Sequence, residues 1–206
     1  GMYASSGGFV GHLQQFEGFQ TAVQYSSLAL GGMPYMGVGR NLGYTKDLFL
    51  RNKGFAGHLH ISSGDDDLFV NKHITENNFT LVHHPDSHTI SPTKKSWAAW
   101  FQQKQRHFST VSHYRGSHQV ILGLMNGSLS LFYLLLITLL IFSYQSALVL
   151  SLAAIRWVIV GLGLLFWAKP TGKLRTLLSF PVSELLVLVH QSLAFLSRRK
   201  SSSKKW

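Results

Sequence analysis

Between Arg115 and Arg156 the chain carries no lysine, arginine, aspartate or glutamate. Within that interval Leu129 to Phe142 is almost wholly apolar. The segments 124–142 and 147–168 each approach the ~20 residues that cross a bilayer. Ser143-Tyr144-Gln145-Ser146 between them reads as a tight turn, so the two segments predict a helical hairpin. Secretory signals are N-terminal and shorter, which separates them from these spans. Lys94, Lys95, Lys104, Arg106 and Arg115 precede the first span, and Lys169, Lys173 and Arg175 follow the second. Both flanks therefore read as cytoplasmic.

A chain of 206 residues has room for one small domain beside such a hairpin. Its hydrophobic content of 46% excludes a disordered chain despite a net charge of +11. Basic flanks beside an anionic leaflet account for much of that charge, so nucleic acid is not an expected partner. The absence of cysteine excludes disulfides and zinc–thiolate sites. The opening Gly1-Met2 is expected to mark a sequence cut from a longer one.

Outside the hairpin, residues 12–30 show helical apolar spacing (Leu13, Phe16, Phe19, Val23, Leu28), stopped by Gly31-Gly32. Residues 34–44 read as a loop entering a strand. Thr45 can cap a short helix to Asn52, with Gly54 as its stop. Residues 65–73 predict another helix, with carboxylates at the end its dipole favours. Strands are expected at 79–84 and 87–90 around Pro85, and a helix from Pro92 to Ser112. This alternation suggests part of an α/β layer. From Pro181 to Ser197 the polar pairs Ser183/Glu184, His190/Gln191 and Ser197/Arg198 recur every seven residues. They predict a helix with one narrow polar stripe. With Arg198, Arg199, Lys200, Lys204 and Lys205 beyond it, an interfacial helix and a cytoplasmic basic tail fit the pattern.

The chemistry concentrates in two clusters. Asp65, Asp66 and Asp67 stand side by side in a chain with eight acidic residues in all. Adjacent carboxylates repel one another, so the triplet points to use. The same residues could simply open a solvated helix, or form a calcium-binding turn. The second cluster is Gln102-Gln103-Lys104-Gln105-Arg106-His107. A carboxylate suits a general base, and a positioned arginine suits a diphosphate gathering charge as it leaves. His58, His60, His73, His83, His84 and His88 crowd the acid cluster, and a His/Asp metal site is the rival chemistry. Their spacings match no ligand motif such as H-E-x-x-H.

Four motifs occur in a telling order: Gly39-Arg40-Asn41, Gly54-Phe55, Gly64-Asp65-Asp66-Asp67-Leu68, and Gln103-Lys104-Gln105-Arg106-His107 before the spans. In this the chain resembles the C-terminal part of membrane-bound family-2 glycosyltransferases of the cellulose-synthase-like type, over roughly residues 12–168. The resemblance implies an α/β fold: the C-terminal portion of a GT-A, Rossmann-like domain over 1–115. Two transmembrane helices over 116–168, and a basic loop, interfacial helix and tail over 169–206, complete the expected layout. It implies inverting transfer of a sugar from a nucleotide-diphosphate donor to a lipid-linked or saccharide acceptor. The catalytic part would lie at the cytoplasmic face of a bacterial inner membrane. On matching positions Asp65 is the expected base and Asp67 the second acid. Gln103 and Arg106 would hold the diphosphate, and Gly39 and Asn41 would line the acceptor side.

Two positions depart from the family pattern. Gly64 stands where glutamate is usual, and His107 where a sugar-stacking tryptophan is usual. The second departure turns the expectation from a processive enzyme towards single transfer. The donor half, with an Asp-x-Asp site for Mg²⁺ or Mn²⁺, is expected outside this chain, leaving it inactive alone. A non-catalytic membrane adaptor and a divalent-metal-binding membrane protein are the alternatives.

Overall fold

A computed structural model describes residues 2–4, 8–61, 63–82, 84–171, 174–177 and 179–198. Ser62, His83, Lys173, Arg199, Lys200, Lys204 and Lys205, which entered the sequence arguments, lie outside the described residues. The order of elements is β1 (Met2–Tyr3), α1 (Phe9–Leu30), α2 (Lys46–Arg51), α3 (Asp65–His73), β2 (Ile90–Ser91), α4 (Trp97–Phe108), α5 (Gly116–Ile141), α6 (Ser146–Thr171) and α7 (Phe180–Leu196). Short 3₁₀ turns join several of them.

The α/β expectation is overturned. The protein is 70% helical, with only two short parallel strands among the described residues. Those strands pair Met2 with Ile90 and Tyr3 with Ser91. A GT-A domain needs a multi-stranded sheet carrying its helices, and two residue pairs do not make that layer. The expected strand at 79–84 finds no ladder partner among the described residues. Its successor is cut off by a 3₁₀ turn at Pro85–Ser87, which Ser87 closes by donating its Oγ hydrogen to the His84 carbonyl at 2.7 Å. The loop at 34–44 enters a 3₁₀ turn at Gly39–Asn41 rather than a strand.

Local helix signals fared better because they act over one or two turns. Thr45 Oγ1 accepts the Leu48 N–H at 3.2 Å and starts α2. α4 begins at Trp97, later than Pro92, because Ser96 caps it through the Ala99 N–H at 3.2 Å. The segment before it is tied to α1. Gln14 accepts the Lys94 N–H at 2.7 Å and donates to the Lys94 carbonyl at 3.0 Å, standing in for a neighbouring strand. α4 ends at Phe108, where Ser109 and Thr110 turn their hydroxyls back onto the carbonyls of Arg106 and His107, each at 2.7 Å.

The main core joins Leu13, Phe16 and Phe19 of α1 to Trp100 of α4, Leu164 and Ala168 of α6, and Phe180 and Val187 of α7. A second cluster holds Tyr133, Leu136, Ala153 and Leu188 between α5, α6 and α7. α5 and α6 are long and apolar enough to cross a membrane. They leave a continuous apolar surface uncovered, including Leu134, Ile141, Phe142, Leu152, Ile159 and Phe166. Arg156, within α6, turns inward instead.

Candidate functional site

The acid cluster forms the first turn of α3. Gly64 precedes it in the left-handed conformation, at φ 82° and ψ 28°. A Cβ there would lie 2.5 Å from Thr110 Cγ2, so the loop before α3 rests directly on the end of α4. At position 64 neither backbone nor space admits a side chain. Asp66 is committed to the neighbouring turn, its Oδ2 accepting the Gly39 N–H at 2.6 Å. A Cβ on Gly39 would meet that carboxylate at 2.7 Å. Asp65 is exposed.

Asp67 is partly buried and hydrogen-bonds to Tyr114. Burial, followed by repulsion from Asp66, pushes its carboxyl up to about 7, against the opposing pull of Tyr114 and Lys104. The two expected acids therefore differ in setting, Asp65 open to solvent and Asp67 enclosed. Behind them Asn71 anchors α3 to the start of α5. It donates to the Tyr35 carbonyl at 2.8 Å and accepts the Arg115 N–H at 2.8 Å.

α4 supplies the second side. Gln103, His107 and Thr110 follow the three- and four-residue steps of one helix face, and Thr110 is the residue touching Gly64. Gln103 Oε1 is buried with no hydrogen-bond partner among the described residues, whereas Arg106 and His107 are exposed. No ion pair joins Asp65 to Arg106 among the described residues. Arg40, in the Gly39–Asn41 turn, lies within electrostatic reach of His107. The turn thus brings Gly39 to the acids and Arg40 towards the α4 cations. Asn41 is exposed, and it borders a separate cavity of about 800 Å³ that Asp65, Asp67, Gln103 and Arg106 do not line.

Lys104, three residues before His107, pairs with Glu17 of α1. Glu17 also accepts the Trp100 Nε1 hydrogen at 3.0 Å and the Gln191 amide at 3.0 Å. Burial works to raise the Glu17 carboxyl, but Lys104 and the three hydrogen bonds bring it below its usual value. This network fixes α4 between α1 and α7. Sequence reasoning missed Thr110, Tyr114 and Glu17. Thr110 was within reach, lying one further turn along the face that Gln103 and His107 define.

The histidines do not converge. His58 is buried and bonds to the Asp65 main chain, while His73 packs on the Phe69 ring at 5.0 Å. Among the described residues no group of three or more His, Asp or Glu is arranged to hold a metal. With Asp66 given to Gly39 and Asp67 to Tyr114, the triplet does not fit a Mg²⁺ or Mn²⁺ cage either. Compared with protein-family models, curated proteins and solved structures, the chain matches none.

Proposed function

We propose that this chain bears the base-and-diphosphate side of inverting sugar transfer, from a nucleotide-diphosphate sugar to a lipid or saccharide hydroxyl at a membrane face. The observation that supports the reading is the Gly64–Thr110 contact. It places the carboxylate turn of α3 against the α4 helix that carries Gln103, Arg106 and His107. An exposed carboxylate at Asp65 suits the base that takes the acceptor's proton. Asp67, holding its own proton up to about neutral pH, spares Asp65 a second nearby charge. Arg106, exposed on α4, suits the departing diphosphate. A divalent ion would balance diphosphate charge, but the residues described do not build its site, and no step here depends on it.

The test is transfer of a radiolabelled sugar by the full-length enzyme, donor half included, in lipid nanodiscs, supplied with a panel of nucleotide sugars. Asp65→Asn is expected to abolish transfer and to leave nucleoside-diphosphate binding intact. Undiminished turnover in that variant would overturn the assignment of Asp65 as base.

A further inference from the structure

α7 has its polarity reversed. On a helix at a protein–water boundary the apolar stripe faces the core and the polar side faces out. Here Ser183, Glu184 and His190 are 2%, 3% and 1% exposed, and each is turned into the protein. Glu184 takes both guanidinium nitrogens of Arg156, at 2.6 and 3.0 Å, and the Tyr133 hydroxyl at 2.7 Å. His190 stacks on Trp100 with ring centroids 3.8 Å apart, and Gln191 donates to Glu17. Gln105 of α4 donates to both the carbonyl and the hydroxyl of Ser197, at 3.1 and 3.0 Å.

The opposite face is aliphatic and bare. Val182, Val189, Leu193 and Leu196 are 61%, 48%, 55% and 79% exposed, and their spacing puts them along one side of the helix. Water is the wrong solvent for that side. Two features identify the right one. First, α7 joins the uncovered apolar surface of the hairpin. Phe180 approaches Gly161, Glu184 grips Arg156, and Leu188 clusters with Ala153, so side chains of α7 meet α6 at these points. Second, Arg198 follows the end of the helix, a cation suited to anionic headgroups.

We propose that the outer face of α7 lies in the acyl region of an anionic leaflet, and that α7 is the element through which the bilayer holds α4. The lipid contact stands apart from sugar transfer. The sequence alone placed the polar stripe of this helix towards water; the structure spends it on α1, α4, α5 and α6.

Because the chain has no cysteine, single-cysteine variants of the full chain accept one nitroxide each. Val189→Cys, Leu193→Cys and Leu196→Cys report on the outer face, Leu134→Cys on the hairpin and Asp86→Cys on water. In vesicles of phosphatidylcholine with phosphatidylglycerol, the three α7 labels are expected to collide more often with oxygen than with a nickel chelate. They should match Leu134→Cys and oppose Asp86→Cys. Nickel-dominated relaxation at α7, whatever Leu134→Cys shows, would overturn the proposal. So would protection from both reagents with spin–spin broadening, which would mean that a second copy covers the face. Omitting phosphatidylglycerol should make the label at 196, nearest Arg198, shallower; an unchanged depth would remove the anionic part of the proposal. None of these readouts depends on turnover.

Discussion

Gly64 rests on Thr110 so closely that a methyl group at position 64 would lie 2.5 Å from Thr110 Cγ2, and Gly64 holds φ 82° besides. The junction of α3 and α4 therefore tolerates no side chain. Gly64→Ala should destabilise the chain by about 1–3 kcal/mol, the usual scale for a strained backbone combined with overpacking. Thr110→Ser removes the nearest methyl and should recover part of the loss. Denaturant unfolding of the two single variants and the double variant measures this coupling, and strict additivity would count against the contact.

The enclosed carboxyl of Asp67 gives the stability a pH dependence of known sign. Its pKa is raised from 3.8 to about 7 in the folded chain, so the folded state binds the proton more tightly than the unfolded one. Its contribution is fully present below about pH 4 and is lost as pH rises towards 7. The effect should be on the order of a few kcal/mol at most, since Asp67 is only partly buried. Asp67→Asn should flatten that slope in thermal unfolding followed from about pH 4 to about pH 8. A slope of the same size in the variant would assign it to another group.

Arg156 and Glu184 should be more damaging apart than together. The pair is buried on the Glu184 side, with side chains 25% and 3% exposed, and Phe132 covers the guanidinium at 4.4 Å. Removing one partner strands the other charge, a cost of about 3–5 kcal/mol for a buried pair. Arg156→Leu or Glu184→Leu alone should fall in that range. The double variant should lose much less, as read by unfolding in mild detergent micelles.

Lys104 reaches across to Glu17, not towards the diphosphate side. Lys104→Met leaves Glu17 buried without its counter-ion, although Trp100 and Gln191 still donate to it. The variant should be destabilised, most strongly at neutral pH and least in acid, where Glu17 can protonate. Glu17→Gln combined with Lys104→Met should recover stability. Equal losses at all pH values would show that Glu17 is uncharged in the parent.

Legibility from sequence followed range. Asp65–His73, the cap at Thr45, the hairpin turn near Ser143 and the long helix from Pro181 are written in contiguous residues, and the structure repeats them. The sheet was misread because 79–84 and 87–90 have strand-like composition, whereas a strand exists only where another segment pairs with it, which of these residues only Ile90 achieves among those described. Arg156 stands within an apolar span, and its partner lies 28 residues away on α7. Glu184 was counted as part of a solvated stripe, although two solitary charges in apolar surroundings are natural candidates to meet. At the site Gly39 meets Asp66, to which the motif assigned no role, while Asn41 faces another cavity. The meeting of α3 and α4 depends on Thr110, which no motif contained.

The most direct measurement is nucleoside-diphosphate binding by the full chain in nanodiscs, using uridine and guanosine diphosphate with the parent, Arg106→Ala, Gln103→Ala and Asp65→Asn. The account predicts that at least one diphosphate binds and that Arg106→Ala weakens it about tenfold or more, as for a lost charge-assisted contact. Gln103→Ala should weaken it less, and Asp65→Asn should leave it unchanged or tighter. No binding to the parent, or equal affinity in Arg106→Ala, would contradict the diphosphate side of the site.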